Sequence, residues 1–127
     1  MPLPVTDYIG SAKDNEWVRV FLTEWKLEHS AGGANSSVAY RLRRYSEDSP
    51  DSALALLVAL AEQSADEKER MELAESVEAL LQKHGAAYWD TMNALCSQVP
   101  QFRTVMSYVW GASLSKELKR KVEMWHA

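Results

Sequence analysis

The stretch that most constrains this chain is Ser49-Pro50-Asp51-Ser52-Ala53-Leu54-Ala55-Leu56-Leu57-Val58-Ala59-Leu60-Ala61. Serine followed by proline is a strong helix start, because serine can cap the first turn and proline's fixed φ and missing N–H suit the first helical position. The helix it opens, over about 50–64, carries Ala53, Leu54, Leu56, Leu57, Val58, Leu60 and Ala61 and is apolar almost all round. A helix with no polar face must be enclosed by others, so this one is expected to be the most buried element. Its apolar run, Ala53 to Ala61, falls far short of the roughly 20 residues that cross a bilayer.

Helical spacing recurs on both sides of it. Asp14 or Asn15 is a competent cap for a helix to about His29, with Trp17, Val20 and Phe21 at helical spacing and Trp17, Phe21, Trp25 and Leu27 or Glu28 as its apolar stripe. Ser30-Ala31-Gly32-Gly33-Ala34-Asn35 reads as a flexible connection, and a short helix from Ser36 or Ser37 to Tyr45 follows. Gln63-Ser64-Ala65-Asp66 is a tight corner in which Asp66 caps the next helix; that helix turns Met71, Ala74, Val77 and Leu81 inward and is expected to end at His84-Gly85. A helix over 86–98 with Met92, Leu95 and Cys96 is expected next. Pro100 opens another, carrying Phe102, Val105, Met106, Val109 and Trp110 and stopped by Gly111. Ser113 or Ser115 caps a last, basic helix. No stretch alternates with the period of a strand.

The expected fold is therefore all-α: a compact irregular bundle of six or seven short helices. It contains helical-hairpin pairs, 50–64 with 66–84 and 86–98 with 100–110, with no repeat period between them. Residues 1–13 are expected to be an irregular arm anchored by Tyr8 and Ile9, and 14–127 a single helical domain. The 127 residues, 46 % hydrophobic, are enough to bury about two-thirds of the unfolded surface. A single cysteine, Cys96, leaves no internal disulfide, which fits a reducing compartment, most simply the cytoplasm. The N-terminus shows neither the basic region nor the apolar run of a signal peptide.

The net charge of −4 hides an asymmetry. From Glu47 to Glu78 ten acidic residues face only Lys68 and Arg70, a local balance of −8, while the remainder is net basic. Such charges solvate helix faces in most proteins; grouped, they also speed encounter with a basic partner.

The pattern Ser76-Val77-Glu78-Ala79-Leu80-Leu81-Gln82-Lys83-His84-Gly85, then Pro100-Gln101-Phe102-Arg103, then Val109-Trp110 resembles a family of small bacterial helical domains of unknown function. The resemblance covers about residues 51–110. It implies a helical fold and no particular activity, cofactor or ligand.

Few residues point to chemistry. His84 and Arg103 are the polar pair that the resemblance singles out: an acid–base or anion-holding pair on one reading, and on the other a helix cap with an arginine paired to Glu78 or a neighbouring acid. Cys96 lies among Met92 and Leu95 with no cation to lower its pKa, which makes it core filler. His29, His84 and His126 lack metal-ligand spacing, and Glu24 and Glu28 lack the Glu-Xaa-Xaa-His companion of a helical di-iron site. No metal, cofactor, phosphate loop or catalytic triad is expected. Arg41, Arg43 and Arg44, beside Tyr40 and Tyr45, are the best nucleic-acid candidates, helped by Lys116, Lys119, Arg120 and Lys121. An acidic chain of pI about 5.4 argues against that use, and pairing with the acidic middle is the simpler role. Five tryptophans are more than a domain of this size readily buries, and half-exposed aromatics are typical interface anchors.

The reading these features favour is a non-enzymatic module that binds another protein, most concretely an immunity-type inhibitor covering the basic active site of a cognate toxin. Glu67, Glu69, Glu72, Glu75 and Glu78 would steer the partner, with Glu62 and Asp66 at the edge. A homo-oligomeric structural or adaptor domain is the alternative; nucleic-acid binding and an enzyme using His84 and Arg103 rank below it. No membrane partner is expected.

Overall fold

The computed structural model of the chain describes residues 2–30, 37–64 and 66–126. Among them are eight helices and no strand: α1 (Val5–Tyr8), α2 (Ser11–Asp14), α3 (Glu16–Ser30), α4 (Ser37–Asp48), α5 (Pro50–Gln63), α6 (Glu67–Gln98), α7 (Pro100–Met106) and α8 (Lys116–Glu123). The fold is all-α, as the helical spacing implies. The glycine-rich connection expected over 30–35 falls, beyond Ser30, outside the described residues, as do Ser36, Ala65 and the side chain of His29.

The helix starts follow local chemistry. Asn15 Oδ1 accepts the Trp17 N–H at 3.0 Å, the Asp66 carboxylate accepts the Glu69 N–H at 2.8 Å, and Ser115 Oγ accepts the Leu118 N–H at 3.3 Å. Each satisfies one of the donors that a helix leaves open at its start. Pro50 and Pro100 occupy the first turns of α5 and α7.

Helix α5 is the hub. Ala53, Leu54 and the six residues from Leu56 to Ala61 are all buried, and α1, α2, α3, α4, α6 and α7 pack around it. Burying a Leu or Val side chain contributes about 1.5–3 kcal/mol; the concentration of such residues here explains why six helices converge on this one.

Helix α6 departs from expectation. The helices expected on either side of Gly85 are one helix of 32 residues, about 48 Å long at the α-helical rise. A glycine inside a helix costs only about 1 kcal/mol relative to alanine, and the apolar stripe stays in phase through it: Val77, Leu81, Gly85, Tyr88, Met92 and Leu95 are all buried. Lys83 and His84 thus sit in mid-helix and not at its negative end. What Gly85 provides is space, since a Cβ there would lie 2.6 Å from Leu118 Cδ1 of α8. The helix stops at Val99, held extended by the following proline.

Smaller differences have equally local causes. Residues expected as an irregular arm form α1 and α2, joined by Gly10 with a φ of +73°; Tyr8 is fully buried and Ile9 packs against the core, as an anchor would. The inward face of α3 is Val18, Phe21, Leu22 and Trp25, while Trp17, Val20 and Leu27 are exposed. Helix α4 runs on to Asp48, and buried Ser46 bonds back to the Leu42 carbonyl. Helix α7 ends at Met106, short of Gly111, which turns the chain with a φ of +77°. No helix among the described residues is long and apolar enough to cross a membrane.

Candidate protein-docking surface

One exposed patch stands out, and it is built from the loop after α7 and the first half of α6. Trp110 is 80 % exposed and Met71 46 %. They line, with Ala74, Glu75, Glu78, Tyr108 and Val109, a pocket of about 80 Å³. Met71 was expected to face the core. Instead, at 3.6 residues per turn, Glu67, Met71, Ala74, Glu75 and Glu78 fall within an arc of roughly 100° and form one stripe beside Trp110.

The peptide that carries Trp110 is clamped on both sides. Glu78 Oε1 accepts the Gly111 N–H at 2.8 Å and Glu78 Oε2 the Ser113 hydroxyl at 2.7 Å. His126 Nε2 donates to the Val109 carbonyl at 2.7 Å. Burial alone would push the Glu78 carboxyl up, but the hydrogen bonds from Ser113 and Gly111, with the nearby Arg43 guanidinium, outweigh it and hold the group below its ordinary range. Val109 is buried and Trp110, the next residue, is not. The loop is thus fixed to the body of the protein while its indole stands in solvent.

The seven acidic residues expected to steer a partner do not share one face. Glu62, Asp66, Glu67 and Glu75 are exposed. Glu69 and Glu72 lie on the other side of α6, half-buried, and Glu69 accepts the Trp25 Nε1–H at 2.8 Å. Glu78 is taken up by the Trp110 loop. Glu67 and Glu75 remain as the exposed charges on the stripe, with Asp66 and Glu62 nearby in sequence.

The basic patch is shared out among acids. Arg41 pairs with Glu24 and lies over the Phe21 ring at 5.4 Å; Arg44 reaches Asp48 at 3.7 Å and the Tyr40 hydroxyl at 3.3 Å; Arg43 lies close enough to Glu78 to lower its pKa. Glu28 accepts the Val38 N–H at the start of α4, so Glu24 and Glu28 each have partners outside α6.

His84 and Arg103 serve separate contacts. His84 Nε2 donates to the Glu47 carbonyl at 2.6 Å, capping the last turn of α4 and not of its own helix, and its ring meets Tyr88 edge-on. Arg103 stacks over the Trp125 ring at 5.3 Å, in place of the expected pairing with Glu78 or a neighbouring acid. Cys96 is buried, and burial pushes its thiol up to about 12. Among the described residues no three His, Cys, Asp or Glu side chains group as a metal site would.

Two hydrogen bonds form a partly buried polar junction at Asp51. The Tyr8 and Tyr88 hydroxyls donate to the same oxygen, Asp51 Oδ1, at 2.6 and 3.0 Å. Asp51 and Tyr8 also border an open cleft of about 580 Å³, of mixed polar and apolar lining, with Asp14 and Trp17. The junction ties α1 and α6 to the first turn of α5, where the helix dipole favours a carboxylate.

Compared with known protein families, with curated proteins and with solved structures, the chain matches none.

Proposed function

We propose that this chain works by binding another protein through the Trp110 face, and that its most concrete role is that of an immunity-type inhibitor of a toxin. One observation carries the reading: a large aromatic, 80 % exposed, stands on a loop pinned by Glu78 and His126. An anchor held in its bound conformation loses little freedom on docking, so more of its burial appears as affinity. A single exposed residue needs no explanation; Trp110 stands beside Met71 and a pocket, rimmed by Glu67 and Glu75, and that combination fits a basic partner. Trp is also the residue type most enriched at binding hot spots.

Coexpression with the proteins encoded beside it in its genome tests this role. The expected result is that one neighbour arrests growth, the wild-type chain relieves the arrest, and Trp110→Ala relieves it at least tenfold less well. Relief undiminished by Trp110→Ala, or no neighbour that arrests growth, overturns the inhibitor reading.

A homo-oligomeric adaptor is the second reading, favoured by the exposed Lys116, Lys119 and Arg120 of α8. Lys119 packs against Gly111, so the same molecule presents a basic surface next to its acidic stripe. A strict monomer by light scattering at high concentration removes it.

A further inference from the structure

Resting on the docking reading, the geometry points to the kind of element that the partner contributes: a basic helical segment that inserts one aliphatic side chain, of leucine or methionine size, between Met71 and Trp110. The pocket there, about 80 Å³, is far below the several hundred Å³ of a small-molecule site. At about 30 Å³ per water it holds two or three waters, or one aliphatic group in their place. Met71, Ala74, Tyr108, buried Val109 and Trp110 line it together with Glu75 and Glu78, and the greater part of that lining is apolar, so the group that enters is apolar. Methionine adapts its shape to such a guest.

Charge sets the rest of the segment. Glu67 and Glu75 are exposed and stand on the same stripe as Met71, eight residues or about 12 Å apart along α6. A helix lying along this stripe, with Lys or Arg four residues before and four after its apolar anchor, spans the same 12 Å and meets one carboxylate with each cation. The helix is recognised through one anchor in the pocket and two flanking charges. Glu78 takes no part in the charge matching, because both of its oxygens are held by Gly111 and Ser113.

The test uses the full chain and short fluorescent helical peptides, titrated by anisotropy. One peptide carries a central Leu flanked by Lys at the two positions; a second has Asp for the Leu; a third has Glu for both Lys. We expect the Leu–Lys peptide to bind about tenfold or more tightly than the other two, a tenfold change being about 1.4 kcal/mol. Glu67→Lys/Glu75→Lys in the chain should reverse the preference for the Lys and Glu flanks. Both glutamates are exposed, so this variant is expected to fold, which its circular dichroism spectrum checks. Equal affinity for the Leu and Asp peptides, or flank preference unchanged in the double variant, overturns the inference. So does the absence of binding to all three, and in that case relief of growth arrest that still depends on Trp110 shows that docking stands and the assigned segment alone is wrong. If relief ignores Trp110, the docking reading itself has failed.

Discussion

Glu78 Oε1 accepts the backbone N–H of Gly111 at 2.8 Å, so the long helix α6 holds the peptide on which Trp110 stands. With the Ser113 hydroxyl on its other oxygen, this one carboxylate closes a loop more than thirty residues away in sequence. A solvated glutamate would do neither.

Replacing Glu78 with alanine should destabilise the fold by about 1–3 kcal/mol, the range for leaving charge-assisted hydrogen bonds unmade. The pH dependence has a definite sign. Because the folded carboxyl titrates below its ordinary value of 4.5, the stability it adds is fully present above that pH and is lost as pH falls through the depressed folded value. Urea denaturation of wild type and Glu78→Ala at pH 7 and at pH 3 checks this: the difference should shrink in acid. A constant difference would mean that the charge contributes nothing.

The Tyr8–Asp51–Tyr88 junction behaves oppositely. Burial and then the hydrogen bond to Asp51 push Tyr88 from 10.0 up to about 12, and the same causes raise Tyr8 further. Stability from these groups is fully present below pH 10, where unfolded tyrosine stays neutral, and is lost as pH rises toward the folded values. Thermal melts from pH 8 to 11.5 should show a steep alkaline loss that Tyr88→Phe makes shallower, with about 1 kcal/mol of stability lost at neutral pH. An identical alkaline slope in the variant would contradict the assignment.

Gly85 tests how α8 is seated. Alanine there gains about 0.5–1 kcal/mol of helix preference, offset by the movement of Leu118, whose Cδ1 would lie 2.6 Å from the new methyl. The expected net change is within about 1 kcal/mol. Gly85→Val adds a branched chain in the same gap and should destabilise by about 1–3 kcal/mol, with faster amide exchange across Lys116–Glu123. Unchanged exchange in α8 would show that the close approach is not what the glycine serves.

Much of this fold was legible locally. Asp66, Ser115, Pro50 and Pro100 mark helix starts that the structure keeps, and the apolar run through Leu56-Leu57-Val58 announces the buried hub. Gly85 reads locally as a helix stop, but the apolar phase continues unbroken from Leu81 to Tyr88 and on to Met92, and the helix continues with it. On α3 the expected stripe keeps Phe21 and Trp25, while Val18 and Leu22 are buried in place of Trp17, which is 39 % exposed. The candidate surface was only half visible. Glu67, Met71, Glu75 and Glu78 recur at helical spacing, and Trp110 precedes a glycine that turns the chain; both signals were in the sequence. That Glu78 closes on Gly111 depends on how α7 folds back along α6, and no local pattern records that.

The most direct measurement of the central claim is site-specific photo-crosslinking in the source cell. A benzophenone amino acid replaces Trp110 in one protein and, as a control, Leu27, which is also exposed but lies on α3. The account predicts that position 110 captures one basic protein, that capture falls about tenfold when Glu67 and Glu75 are reversed to lysine, and that position 27 captures nothing specific. Equal capture from both positions, or capture from 110 that ignores the charge reversal, would contradict it.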